Sequence, residues 1–252
     1  MRPQLSAERF DAVLFDLDGV LTDTAAVHAR AWKTMFDEFL RDWAERHGQP
    51  FTPFSIDRDY KTYVDGKPRY DGVRAFLASR HIVLPDGDPG DEPGDDTVCA
   101  MGNRKNVLFN DILEREGIAP YPGSLRTLDV LDRLGVRSAI VSSSKNARSV
   151  LDASGLAARF EVVVDGSVVA ERGLRGKPAP DAYLLGAEQL GVDPARSVVV
   201  EDAVSGVAAG VAGAFAVVIG IDRGAGPAAL LAHGATFVAD DLADLIESET
   251  TA

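Results

Sequence analysis

Four apolar runs rich in Val and Ile constrain this chain most. They span Val136 to Val141, Phe160 to Val164, Val198 to Val200 and Phe215 to Ile219. None alternates with polar residues, so each reads as a strand buried on both faces. Helical stretches separate them, and strands of this kind joined by helices form a parallel sheet in a doubly wound, Rossmann-like α/β fold. A fifth run, Ala12 to Phe15, opens the series and ends in Asp16-Leu17-Asp18-Gly19. No internal repeat is visible.

In such sheets ligands bind beyond the carboxyl ends of the strands. Three of the five runs end in polar clusters: Asp16 and Asp18, the segment Ser142-Ser143-Ser144-Lys145-Asn146, and Glu201-Asp202. Lys177, in the loop Arg175 to Asp181, can reach the same edge. Asp16 and Asp18 are two residues apart, so in extended backbone both carboxylates point to one side. Such a pair cannot ionise independently unless a cation or a shared proton relieves the repulsion. Read alone, D-x-D-G fits a solvated turn as well as a site. Four clusters meeting at one edge favour the site.

The residue types then suggest chemistry. Asp16, Asp18 and Asp202 offer hard oxygen ligands to Mg²⁺, with Glu201 as a fourth ligand or an outer partner. With one cysteine, Cys99, and four histidines, the chain shows no Cys/His pairing for zinc. Ser142 to Asn146, preceding a helix, offers N–H groups, hydroxyls and an ammonium to a tetrahedral anion. A carboxylate facing a phosphoryl group neutralised by a cation can become an aspartyl-phosphate, with Asp16 as nucleophile and Asp18 as proton carrier.

A helical pattern begins near Ala25 and carries Trp32, Met35, Phe36, Phe39, Leu40 and Trp43 on one stripe. On periodicity Trp32 is a core residue, and His28, one turn earlier, is an ordinary helix histidine. Residues 51 to 117 are of mixed character. Leu84 to Thr97 is acidic and rich in Gly and Pro, which predicts an exposed, flexible loop; it lacks the closing glutamate of an EF-hand. Asp65 to Arg69 and Gly102 to Asn106 place cations beside loop-forming residues, either as anion contacts or as solvated charge.

The net charge of −13 argues against nucleic acid as a partner. Any phosphate ligand must therefore be held by local cations against the global field. A single cysteine fits a reducing compartment, and no run approaches a membrane span. A cytoplasmic protein is expected.

Asp16 to Asp23, Ser142, Lys177 and Glu201-Asp202 match, in order, the four motifs of the haloacid dehalogenase superfamily, which the chain resembles. Within it the chain is most similar to the β-phosphoglucomutase family. Asp23-Thr24, His28 and Ala31-Trp32-Lys33 match the segment leading into that family's cap, Gly66 and Arg69 its cap phosphate loop, and Arg104-Lys105-Asn106 its second cap element. Lys67-Pro68, Asp65 and the long acidic loop depart from the pattern. The resemblance implies a catalytic core formed by residues 1–26 and 118–252, with an α-helical cap inserted over 27–117. It also implies that Thr24, His28, Trp32, Gly66, Arg69, Lys105, Ser142, Ser143, Ser144, Lys145, Asn146 and Lys177 contact the substrate. The implied activity is Mg²⁺-dependent interconversion of β-glucose 1-phosphate and glucose 6-phosphate by a monomer primed with β-glucose 1,6-bisphosphate. A sugar-phosphate phosphatase is the alternative, and a non-catalytic phosphosugar-binding protein a third reading.

Overall fold

The computed structural model describes residues 8–64 and 67–246. Two compact units emerge, one of residues 1–24 and 118–252, the other of 25–117. Strand β1 (Ala12–Phe15) opens the first unit and is fully buried.

The second unit is helical. It holds α1 (Thr24–His47), a π-helical segment (Ile56–Val64), α2 (Arg69–Ser79) and α3 (Val98–Glu116). The predicted stripe on α1 is the heart of its core: Met35, Phe36 and Phe39 pack with Phe54, Phe76 and Met101. Phe36 lies 5.1 Å from Phe54 and 4.2 Å from Phe76, ring centre to ring centre. Each such fully buried ring contributes about 1.5–3 kcal/mol. Trp32 belongs to this core, stacked 5.3 Å from Phe36.

Gly102 to Asn106 is not the loop that its composition suggested; it lies inside α3. A Cβ at Gly102 would stand 2.6 Å from the Tyr70 ring, so the glycine lets α2 and α3 approach and does not break the helix. The stretch from Leu84 to Thr97 is irregular, as expected, but tied down. Thr97 caps α3 through Ala100 N, Asp91 accepts from Thr97 Oγ1 at 2.7 Å, and Asn103 donates to the Asp91 carbonyl at 2.8 Å. Asp65 and Gly66 lie outside the described residues.

The first unit continues with α4 (Pro122–Leu134), β2 (Arg137–Val141), α5 (Ala147–Ala153), β3 (Val162–Val164), α6 (Gly166–Glu171) and α7 (Asp181–Leu190). It ends with β4 (Ser197–Glu201), α8 (Val204–Ala212), β5 (Val217–Ile221), α9 (Pro227–Ala232) and β6 (Phe237–Ala239). The six strands pair in parallel, in the order β3-β2-β1-β4-β5-β6. This is the doubly wound sheet that the Val-rich runs predicted. β5 starts two residues later than the run Phe215 to Ile219 implied, and β6 is an edge strand too short to carry a run of its own.

Strand order reverses direction at β1, so the ends of β1 and β4 flank the switch point, where a crevice opens beyond the carboxyl edge. Among the described residues no helix is long and apolar enough to cross a membrane.

Candidate active site

Asp16 directly follows β1, and its N–H donates to Val200 O at 2.9 Å, which keeps the residue in register with β4. Its carboxylate is buried and meets Lys177, whose Nζ donates to Asp16 Oδ1 and Glu201 Oε1, both at 2.6 Å, and to Val141 O at 2.8 Å. An ammonium has three N–H donors, and here all three are used. One lysine thus ties together the ends of β1, β2 and β4. Burial opposes the charge on Lys177, but Asp16 and then Glu201 outweigh it and raise its pKa above the ordinary lysine value.

The acids outnumber that cation. Burial first pushes the Asp16 carboxyl well up; Lys177 opposes it, and Glu201, Asp202 and Asp18 add to it. Asp202 is raised to about 7, by burial and then by Glu201, against Lys177. Asp16, Glu201 and Asp202 each bring a carboxylate oxygen within 4.8 Å of the others. Hard oxygens buried and crowded so closely, with one ammonium among them, suit a divalent cation such as Mg²⁺. Asp18 lies outside that set, although the motif suggested it as a ligand. Its carboxylate faces the buried Ser142, whose Oγ is 3.5 Å from Asp18 Oδ2.

Gly19, straight after Asp18, lets the chain turn close against Asp202. Its φ is +82°, and a Cβ there would stand 2.1 Å from Asp202 Oδ2. Any other residue would be strained and would displace that carboxylate.

Ser142 to Asn146 forms a turn in which two of the three hydroxyls serve the backbone: Ser144 N donates to Ser142 Oγ and Asn146 N to Ser144 Oγ, both at 3.1 Å. Ser143 and Lys145 are exposed, and Asn146 precedes α5. Thr24 is buried at the start of α1, and its Oγ1 meets no hydrogen-bond partner among the described residues.

Tyr183 in α7 escaped the sequence reading. Its hydroxyl donates to Glu201 Oε1 at 3.0 Å, and its ring lies 4.9 Å from Lys177 Nζ. Glu201 Oε2 accepts from Asp202 N and Ala203 N, both at 3.1 Å, so Glu201 is held from both ends. Only the polar tip of Tyr183 could have flagged it, since a buried phenol requires a partner.

In the helical unit, α1 and α3 bring His28, Trp32 and Lys105 together. Lys105 is buried; its Nζ is 2.6 Å from His28 Nδ1, 4.8 Å from the Phe109 ring centre and 5.4 Å from that of Trp32. Phe109 stacks on His28 at 4.2 Å. Burial, then Lys105 and Arg69, lower the His28 pKa to about 3, so the imidazole is neutral at pH 7. With the ammonium donating to Nδ1, the ring proton is assigned to Nε2. Arg69, first residue of α2, donates from Nη2 to Asn106 Oδ1 at 3.1 Å.

A family model for haloacid dehalogenase-like hydrolases matches residues 10–213. The chain belongs to that family. Among haloacid dehalogenase-like relatives, a β-phosphoglucomutase of Mycobacterium bovis is 51% identical over 95% of this chain and 92% of its own length. Hexitol phosphatase A of Escherichia coli is 35% identical over 81% and 80%. A solved family hydrolase from Deinococcus radiodurans R1, with bound phosphate and sodium, superposes with a TM-score of 0.68 at 33% identity, covering 94% of this chain and 93% of that one.

Proposed function

We propose that the protein is an Mg²⁺-dependent β-phosphoglucomutase, interconverting β-glucose 1-phosphate and glucose 6-phosphate through β-glucose 1,6-bisphosphate. The observation that carries the reaction class is the buried Asp16 carboxylate gripped by Lys177, with a second carboxylate, Asp18, on the same edge and outside the acid triad. The choice of substrate rests on the 51% identity to a β-phosphoglucomutase along almost the whole chain.

Asp16 Oδ attacks phosphorus, forming the aspartyl-phosphate while the ester P–O bond breaks. Asp18, as the acid, gives its proton to the departing sugar oxygen and becomes a carboxylate. In the return step that carboxylate takes the proton of the attacking sugar hydroxyl, a contribution of about 10²–10⁴-fold. Lys177 holds Asp16 in place and offsets the charge that builds on the phosphoryl oxygens. Mg²⁺ held by Asp16, Glu201 and Asp202 would supply further positive charge there. Ser142, Ser143, Ser144, Lys145 and Asn146 are the proposed contacts to the transferring phosphate and the sugar. Arg69 and Lys105 are the proposed holders of the other phosphate, with His28 Nε2–H, Trp32, Thr24 and Gly66 completing recognition. The reading takes the chain as a cytoplasmic monomer acting on a small sugar phosphate.

The similarity to hexitol phosphatase A favours a second reading, in which water accepts the phosphoryl group. An assay with Mg²⁺, β-glucose 1-phosphate and a trace of the bisphosphate separates the two. Glucose 6-phosphate with little free phosphate is expected, and free phosphate as the main product overturns the mutase in favour of the phosphatase. Asp16→Asn should abolish either activity; retained turnover would sink the mechanism.

A further inference from the structure

We propose that Arg223 is a positioning residue for Asp18, acting through the backbone of Gly19; the role assigned to Asp18 rests on the function proposed above. Arg223 lies just beyond β5, in an Asp-Arg-Gly-Ala-Gly stretch whose composition reads as an ordinary turn. Its side chain does not behave as turn decoration. Nε donates to Gly19 O at 2.9 Å, Nη1 donates to Asp240 O at 3.0 Å, and Cζ stands 4.0 Å from the centre of the Tyr121 ring. One planar guanidinium therefore joins the turn after β1, the end of β6 and the residue just before α4.

The turn it grips needs such a hold. Gly19 has no side chain to fix its peptide planes and occupies a conformation open mainly to glycine, so its orientation depends on what takes its N–H and its C=O. Gly19 N donates to Thr22 O at 2.8 Å, and Arg223 takes the carbonyl. The carbonyls that follow are anchored to α4: Ser124 Oγ donates to Val20 O and Tyr121 N to Leu21 O, both at 2.9 Å. Tyr121 is thus both an anchor of the turn and the surface on which Arg223 rests. Loss of the Arg223 donors frees the Gly19 carbonyl, lets the Gly19–Val20 peptide rotate, and through the pliant Gly19 shifts the neighbouring Asp18, whose carboxyl must meet one particular oxygen. Misplacement of a reacting group by about 1 Å costs on the order of 10²-fold.

The chemistry of the leaving group separates this role from a merely structural one. In transfer to Asp16 from β-glucose 1,6-bisphosphate, the departing alkoxide takes the Asp18 proton as the P–O bond breaks. In transfer from p-nitrophenyl phosphate the departing phenolate needs no proton. Single-turnover release of each leaving group is measured for the wild type, Asp18→Asn, Arg223→Met and Arg223→Lys. Methionine retains packing on Tyr121 without donors, and lysine retains the charge and part of the donor set.

The ratio of the two rates within one preparation does not depend on the fraction folded. Arg223→Met is expected to lower bisphosphate transfer about 10- to 100-fold relative to aryl transfer, with Arg223→Lys between it and the wild type. Equal loss on both donors, or no loss on either, overturns the positioning role. If Asp18→Asn shows no donor selectivity, or wild type accepts phosphate from neither donor, the functional reading fails first and this proposal falls with it.

Discussion

Two regions of this protein bury a lysine, and they do so in opposite company. At the sheet edge Lys177 sits among Asp16, Glu201 and a main-chain carbonyl, and its charge is held more firmly than in water. In the helical unit Lys105 sits against a neutral imidazole and the faces of Trp32 and Phe109, and burial, with Lys105 and Arg69 adding to it, holds the His28 pKa down. The first region is an excess of acids clamped by one ammonium. The second gathers cations within a protein of net charge −13. Local arrangement, not overall charge, sets the sign of each cluster, which is how an acidic chain can present positive charge to an anion.

The largest effect should come from Lys177→Met, which leaves Asp16 and Glu201 buried without their ammonium. A loss of about 3–5 kcal/mol in denaturant unfolding is expected, with turnover lowered about 10³-fold. Near-normal stability would show that the sheet-edge cluster tolerates its own charge, and the contrast with the helical unit would collapse. Lys105→Met preserves the aromatic packing and removes the charge together with the donor to His28 Nδ1. If Lys105 holds the second phosphate as proposed, the variant's KM for the sugar phosphate should rise about 10-fold, the signature of a lost ground-state contact, and the His28 pKa, followed by NMR, should climb from about 3.

The pH dependence of stability isolates His28 further. Its folded pKa, about 3, lies below the ordinary 6.5. Between those values the unfolded chain binds a proton that the folded chain refuses. His28 therefore contributes stability that is present above pH 6.5 and lost as pH falls towards 3, about 2 kcal/mol by pH 5. Thermal melts of His28→Gln should lack that part of the slope, and an unchanged profile would place the acid sensitivity elsewhere. The smallest effect is expected from Tyr183→Phe. Glu201 Oε1 keeps Lys177 and loses one donor, which costs about 1 kcal/mol in unfolding.

Much of this was legible in the chain itself. The Val-rich runs declared a parallel sheet, because only strands covered on both faces dispense with polar alternation. Their polar ends marked the edge where Asp16, Lys177, Glu201 and Asp202 meet. The stripe from Trp32 to Phe39 announced the core of the helical unit. Composition misled where a residue served a neighbour distant in sequence: Gly102 looked like a loop residue and turned out to seat Tyr70 against a helix. Tyr183 was hidden in an apolar helix, and Arg223 in a run of turn residues.

What the sequence determined by itself is the order of layers and the inventory of groups at the sheet edge, since these follow from hydrophobic period and strand ends. The tertiary structure alone decided which acids share a cluster, that Asp18 turns to Ser142, which nitrogen of His28 carries the proton, and that Lys177 spends all three donors. Those outcomes depend on distances between residues as far apart as Asp16 and Lys177 and on how completely water is excluded around them. Neither quantity is written in any local stretch of chain.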